Sequence, residues 1–192
     1  MTIYTWVIAA LWLALIAYWV LSARGAKRTI DGGWVWRREI GWRLAFLILV
    51  LLALRISHAG HLVRSARPYL LNTGTVPGIV GILLCAFGIG LAIQARAYLG
   101  ANWGLPMSRK ERPELVTHGP YKLVRHPIYA GMLLAMFGSA IGQSVVWFLP
   151  LILGGIYFIY SARREEMLMV EQFPEAYPAY KQRTKMLIPF VV

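Results

Sequence analysis

The 192-residue chain is 58% hydrophobic and only 15% charged, against roughly 25% charged in soluble domains. Surface-to-volume scaling does not let a single soluble core of this size hide so much apolar surface, which leaves a bilayer as the solvent. The net charge of +12 would suit nucleic acid, but the basic residues lie between long apolar runs. No basic face carries interleaved stacking aromatics, so membrane lipids and positively charged loops are the expected partners of that charge, and nucleic acid is not.

Met1 to Ala23 carries no charged side chain, which suits the roughly 20 residues of a spanning helix. It has no basic leader and no obvious small-residue cleavage site, so it reads as a retained span and not a signal peptide. After Arg24, Lys27, Arg28, Arg37 and Arg38, a second span is centred on Leu44 to Leu54, short enough that Arg43 and Arg55 must snorkel. A polar connection, His58 to Thr75, leads into a third apolar run, Val76 to Leu99. That run is rich in glycine (Gly78, Gly81, Gly88, Gly90), and small residues let helices approach closely in lipid. Gly88-Ile89-Gly90 follows no strand and is not a dinucleotide fingerprint. The single cysteine, Cys85, permits neither an internal disulfide nor a cysteine-based zinc cluster.

From Gly100 to Arg125 the chain turns polar and basic, punctuated by Pro106, Pro113, Gly119 and Pro120. Between His126 and Ala162 no Lys, Arg, Asp or Glu occurs, which predicts a helical hairpin turning near Gly142-Gln143-Ser144. Arg163 to Val192 is too charged to span, and Met167, Leu168, Val170 and Phe173 predict an amphipathic helix at the interface. The expected fold is all-α: an integral membrane bundle of about five transmembrane helices with a cytosolic C-terminal amphipathic helix. With the N-terminus outside, only Arg55, Arg64 and Arg67 of the 20 Lys and Arg residues fall on the external side. That asymmetry places the 100–125 loop and the tail in the cytosol.

Polar residues at membrane depth are costly, so they mark the place to look for function. The densest set is Gly119-Pro120-Tyr121-Lys122-Leu123-Val124-Arg125-His126-Pro127-Ile128-Tyr129-Ala130-Gly131. Pro127 suits the first position of a helix, whose free amides and positive dipole end would face a cytosolic pocket and hold a carboxylate. His126 and Tyr129 lie near one face of that helix. The second set, Arg163-Arg164-Glu165-Glu166, puts two acids at the end of an apolar span, where they oppose the helix dipole. A bound cationic or hydroxyl-bearing ligand accounts for them; so does simple pairing with Arg163, Arg164 or Lys122. His58 and His61 have metal-pair spacing but no nearby carboxylate, so no metal is expected.

Together, Gly119-x-Tyr121-x-x-x-Arg125-His126-Pro127-x-Tyr129-x-Gly131 and Glu165-Glu166 followed by Phe173-x-x-x-Tyr177-x-x-Tyr180-Lys181-x-Arg183 and Ile188-Pro189-Phe190 resemble the isoprenylcysteine carboxyl methyltransferases. The resemblance covers about residues 94–190, so the chain divides into N-terminal transmembrane helices (1–93) and a cofactor-binding methyltransferase region (94–192). It implies S-adenosyl-L-methionine as cofactor. Glu114, Leu115 and Val116 would lie along it, Tyr121 against it, Arg125, His126, Pro127, Ile128 and Tyr129 at its amino-acid or ribose end, and Glu165 on its polar groups. Ser161, Arg163 and Glu166 would face the acceptor.

In carboxyl-methylating members an arginine is expected one helical turn before the first Glu, where this chain has Ser161. The acceptor thus stays open between a prenylated cysteine, another lipophilic carboxylate, a phospholipid amine and a thiol. A nicotinamide-dependent reductase of the sterol-reductase type and a non-enzymatic membrane protein are the competing readings. A lipid acceptor is expected to enter laterally past Gly88, Gly90, Ala92, Ala130, Gly131 and Ala135, whose small side chains would leave a passage.

Overall fold

Apolar runs without internal breakers form helices because lipid leaves every backbone N–H and C=O to be satisfied within its own segment. The computed structural model describes residues 2–22, 74–102 and 114–189. Within them lie helices α1 (Ile3–Ser22), α2 (Thr75–Leu99), α3 (Pro127–Gly142), α4 (Phe148–Gln172) and α5 (Ala176–Arg183), joined by short 3-10 turns, with no β-strand among the described residues. Among the described residues three segments are long and apolar enough to cross a membrane: Ile3–Ser22, Thr75–Asn102 and Val145–Gln172. The span expected at 44–54, and the His58/His61 pair, lie outside the described residues.

The hairpin turns where expected, through a 3-10 turn at Val145–Trp147 whose cap, Ser144, accepts a hydrogen bond from the Val146 amide. Its first arm is shorter than expected. α3 has 16 residues, about 24 Å at 1.5 Å per residue, against about 30 Å of hydrocarbon. Pro127 fixes its start, and the helix ends at Gly142.

The close approach of α2 and α3 is set by backbone meeting backbone. A Cβ on Gly88 would lie 2.5 Å from the Gly131 carbonyl oxygen, and one on Gly131 would lie 2.5 Å from that of Gly88. Farther along, Gly81 meets Gly138 and Gly142 in the same way. This overturns the expected passage between these helices. The small residues close the seam, with Ala92 and Ala135 completely buried, because small side chains in lipid are used to bring helices together. Gly90 alone of the α2 glycines faces open space.

α1 packs alongside this pair and parallel to α2: Tyr4 lies against Gly78 at one end, and Arg96 Nη2 donates to the Ser22 carbonyl (2.6 Å) at the other. Ile8 and Leu15 are buried against it, Trp12 Nε1 donates to Ser139 Oγ (3.0 Å), and the Trp12 and Trp147 rings stack at 6.2 Å.

One element differs in kind. The amphipathic helix expected after Arg163 is not separate: α4 runs unbroken through Gln172. The stretch from Ala162 to Gln172 contains no glycine or proline and is dominated by Glu, Met, Leu, Arg and Gln, all strong helix formers. The helix stops at Phe173, which precedes Pro174 and leaves helical geometry (φ −134°, ψ 67°). Met167 and Val170 are exposed on these last turns. A shorter helix, α5, then lies across the end of the bundle.

Candidate active site

The end of the bundle where α2 and α4 finish and α3 begins collects the polar residues. Gly119 opens a 3-10 turn at φ +60°, a conformation that side chains disfavour, and a Cβ there would also strike the Tyr98 ring at 2.5 Å. The turn buries Pro120 and Tyr121 and delivers the chain to Arg125 and His126.

Those two residues are held from outside by the tail. The Arg125 amide donates to the Lys185 carbonyl (2.8 Å) and the His126 amide to that of Met186 (3.0 Å), with Val124 and Lys185 bridged in parallel. Leu187 is buried, and Tyr180 Oη donates to the Tyr121 carbonyl (2.6 Å). The two sequence blocks, some 40 residues apart, are thereby pinned together by residues 184–187.

α4 supplies the acids. Pro150, Gly154, Phe158, Ser161, Ala162 and Glu166 are its buried residues, a stripe at three- and four-residue spacing. Phe158 stacks on Tyr129 at 4.7 Å between ring centroids, and Tyr129 in turn stacks on His126 at 5.6 Å. Tyr129 Oη donates to Glu165 Oε1. His126 stands between the two carboxylates, Nδ1 3.5 Å from Glu165 Oε2 and Nε2 3.5 Å from Glu166 Oε1. The Nε2 contact has ion-pair range but lacks hydrogen-bond alignment. Burial by itself would push the imidazole down; the two carboxylates outweigh it and hold the group above its ordinary value.

Glu166, 3% exposed, is the hub. Its Oε1 accepts from Arg125 Nε (2.6 Å) and its Oε2 from Lys181 Nζ (2.7 Å). Arg125 also donates through Nη1 to the carbonyls of Lys181 (3.3 Å) and Thr184. Burial pushes the neighbouring phenols up, Tyr180 to about 12 and Tyr121 and Tyr177 higher, so all three remain protonated donors at neutral pH.

Of the residues expected at the site, the structure gathers Tyr121, Arg125, His126, Pro127, Ile128, Tyr129, Glu165 and Glu166 at this end of the bundle. Leu115 and Val116 are half-buried in a segment outside the helices, and the Glu114 amide donates to Asn102 Oδ1 (3.3 Å). Arg163 and Arg164 are exposed, and neither they nor Lys122 is the partner of the acids; Arg125, His126 and Lys181 are. Ser161 is completely buried, one turn from both Phe158 and Glu165, and its Oγ has no hydrogen-bond partner. Sequence reasoning missed Phe158, Lys181 and Thr184 as parts of this site. Phe158 was readable from its seven-residue spacing to Glu165 and Lys181 from its place in the Tyr180-Lys181-x-Arg183 motif, whereas Thr184 carries no local signal.

The site fits the polar end of an amino-acid cofactor. At the α3 N-terminus no side chain caps the first turn, Pro127 occupies N1, and His126 stands at N-cap, so the free amides of that turn suit a carboxylate. Glu165 supplies an acceptor for an amine or hydroxyls, and the orphaned Ser161 hydroxyl leaves one buried polar atom to be met by a bound molecule.

Residues 76–176 match the family model described as phospholipid methyltransferase. The chain belongs to that family. Similar proteins include a methanethiol S-methyltransferase of a Pseudomonas species, 32% identical over 57% of this chain and 46% of that protein. A cobalt-zinc-cadmium resistance protein, CzcN, of Cupriavidus metallidurans is 30% identical over 86% of this chain and 69% of that protein. A protein-S-isoprenylcysteine O-methyltransferase of Xenopus laevis is 29% identical over 59% of this chain and 41% of that protein. The matches to the named methyltransferases thus span less than half of those proteins, and they bear out the resemblance to the isoprenylcysteine carboxyl methyltransferases read from the sequence. The family match contains α2, α3 and α4 and the His126–Glu165–Glu166 cluster, and it ends at residue 176, where α5 begins.

Proposed function

We propose that this chain is an integral membrane methyltransferase that uses S-adenosyl-L-methionine to methylate a lipophilic acceptor, at the end of the bundle that faces the cytosol. The observation that carries the reading is the convergence of His126, Tyr129 and Glu165 at the α3 N-terminus in a chain of this family. Residues 94–192 carry the site and residues 1–93 its supporting helices. The α3 amides and His126 hold the cofactor's carboxylate, Glu165 its amine or hydroxyls, Tyr121 and Leu115–Val116 its flank, and Tyr129 an aromatic face beside a cation. When bound, the cofactor supplies an electrophilic methyl group on a sulfonium centre. The protein's own part is alignment and exclusion of water. Phe158 fixes the Tyr129 ring, Tyr129 fixes the Glu165 carboxylate, and the 184–187 strap covers Arg125 and His126.

The acceptor we favour is the carboxylate of a prenylated cysteine or a similar lipid. A thiol is the second reading, favoured by two observations: Ser161, where an acceptor-holding cation is expected, is uncharged and completely buried, and Arg163 and Arg164 are exposed. Calorimetry of the detergent-solubilised protein with S-adenosyl-L-methionine and, separately, NADPH tests the cofactor. Binding of NADPH alone would transfer the chain to the reductase reading. Methyl transfer from labelled cofactor to a farnesyl-cysteine carboxylate or to an alkyl thiol then decides the acceptor.

A further inference from the structure

Beside the His126–Glu165–Glu166 cluster, and sharing Arg125 and Lys181 with it, the tail builds a second polar feature. Arg125, Lys181, Gln182, Arg183, Thr184 and Lys185 line a hollow of about 250 Å³. Four of the six are cations. The acid bound to this group is Glu166, which contacts Arg125 and Lys181 from the side of the bundle and leaves Arg183 and Lys185 exposed at the rim. The floor is preorganised: Arg125 is 7% exposed, its Nε and Nη1 are committed to Glu166 and to the Thr184 and Lys181 carbonyls, and among the described residues no acceptor uses Nη2. A fixed planar guanidinium flanked by the exposed cations Arg183 and Lys185 suits an oxyanion with several acceptor oxygens.

Apolar side chains sit beside this rim. Leu123, adjacent to the Val124–Lys185 bridge, is 59% exposed, and Ile188, at the end of the strap, is 55% exposed. Basic and exposed apolar side chains side by side suit the boundary where headgroup meets acyl chain.

We propose that the hollow bounded by Arg125, Lys181, Arg183, Thr184 and Lys185 is a binding site for a phosphate group, and that the phosphate is that of an anionic phospholipid headgroup. Five of its six lining residues, 181–185, follow the end of the family match, and Arg125 ties them to the matched region. Because Lys181 also binds Glu166, an occupant shares a cation with the His126 cluster.

The test uses the full chain in lipid nanodiscs. Retention of phosphatidylglycerol and of phosphatidylcholine is compared by native mass spectrometry for the parent and for the R183Q/K185Q variant, whose substituted side chains are solvent-exposed. The parent is expected to retain phosphatidylglycerol at least fivefold over phosphatidylcholine, and the variant to lose most of that preference while keeping the parent's melting temperature. A competition arm adds inorganic phosphate against chloride at matched ionic strength. Displacement of the lipid at millimolar phosphate would show a phosphate site that does not need the lipid; no displacement would support the headgroup. Equal retention of the two lipids by the parent, or an unchanged preference in a folded variant, would overturn the proposal.

Discussion

The hub at Glu166 allows a quantitative prediction. Replacing Glu166 with alanine removes the partner of Arg125, which is 7% exposed, while Lys181 at 50% exposure regains solvent. Breaking a buried pair by deleting one member costs about 3–5 kcal/mol, because the remaining charge is left uncompensated, whereas the half-exposed lysine adds about 0–1 kcal/mol. Arg125 keeps two backbone carbonyl acceptors, which favours the lower limit. A loss of about 3 kcal/mol is therefore expected, or about 6–12 °C in melting temperature at 2–4 °C per kcal/mol for a chain of this size. The strap should also be released, so trypsin should cut at Lys181, Arg183 and Lys185 faster than in the parent. Thermal unfolding in detergent and timed proteolysis read the two effects. The double replacement Arg125→Met/Glu166→Leu completes the cycle and should recover at least about 2 kcal/mol relative to the sum of the single changes, since it leaves no buried charge from this pair. Strict additivity, or a Glu166→Ala protein as stable as the parent, would refute the hub.

Glu165→Ala should weaken S-adenosyl-L-methionine binding by about 1–3 kcal/mol with the fold intact, measured by calorimetry; unchanged affinity would make Glu165 purely structural. Gly131→Leu and Gly88→Leu must push backbone against backbone and should destabilise by at least about 1–3 kcal/mol, whereas Gly90→Leu, facing open space, should not; melting temperatures of the three separate them. His126 is held above its ordinary value when folded, so its contribution to stability is fully present below the unfolded value near 6.5 and is lost as pH rises through the higher folded value. A stability–pH profile should show that loss in the parent and not in His126→Asn. A reporter fused after Val192 should be active on the cytosolic side; external activity would reverse the orientation.

Element type was legible in the sequence because lipid forces apolar runs into helices, and α1, α2 and the hairpin turn lie within a residue or two of where uninterrupted hydrophobicity, Pro127 and Gly142 put them. The two polar blocks were legible for the complementary reason: ionisable residues beside apolar spans are expensive and stand out. Partners were not. The sequence left Glu165 and Glu166 open between a bound ligand and pairing with Arg163, Arg164 or Lys122, but those arginines are exposed, because a helix buries only one stripe and theirs is the other. The true partner of Glu166 depends on Pro174 ending α4 and letting α5 fold back across the bundle, which brings Lys181 and the 184–187 strap to Arg125. The glycines show the same division. Their number announced close packing, but whether they open a passage or seal one depends on what faces them, and only the register of α2 against α3, Gly88 opposite Gly131 and Gly81 opposite Gly142, decided that they seal it.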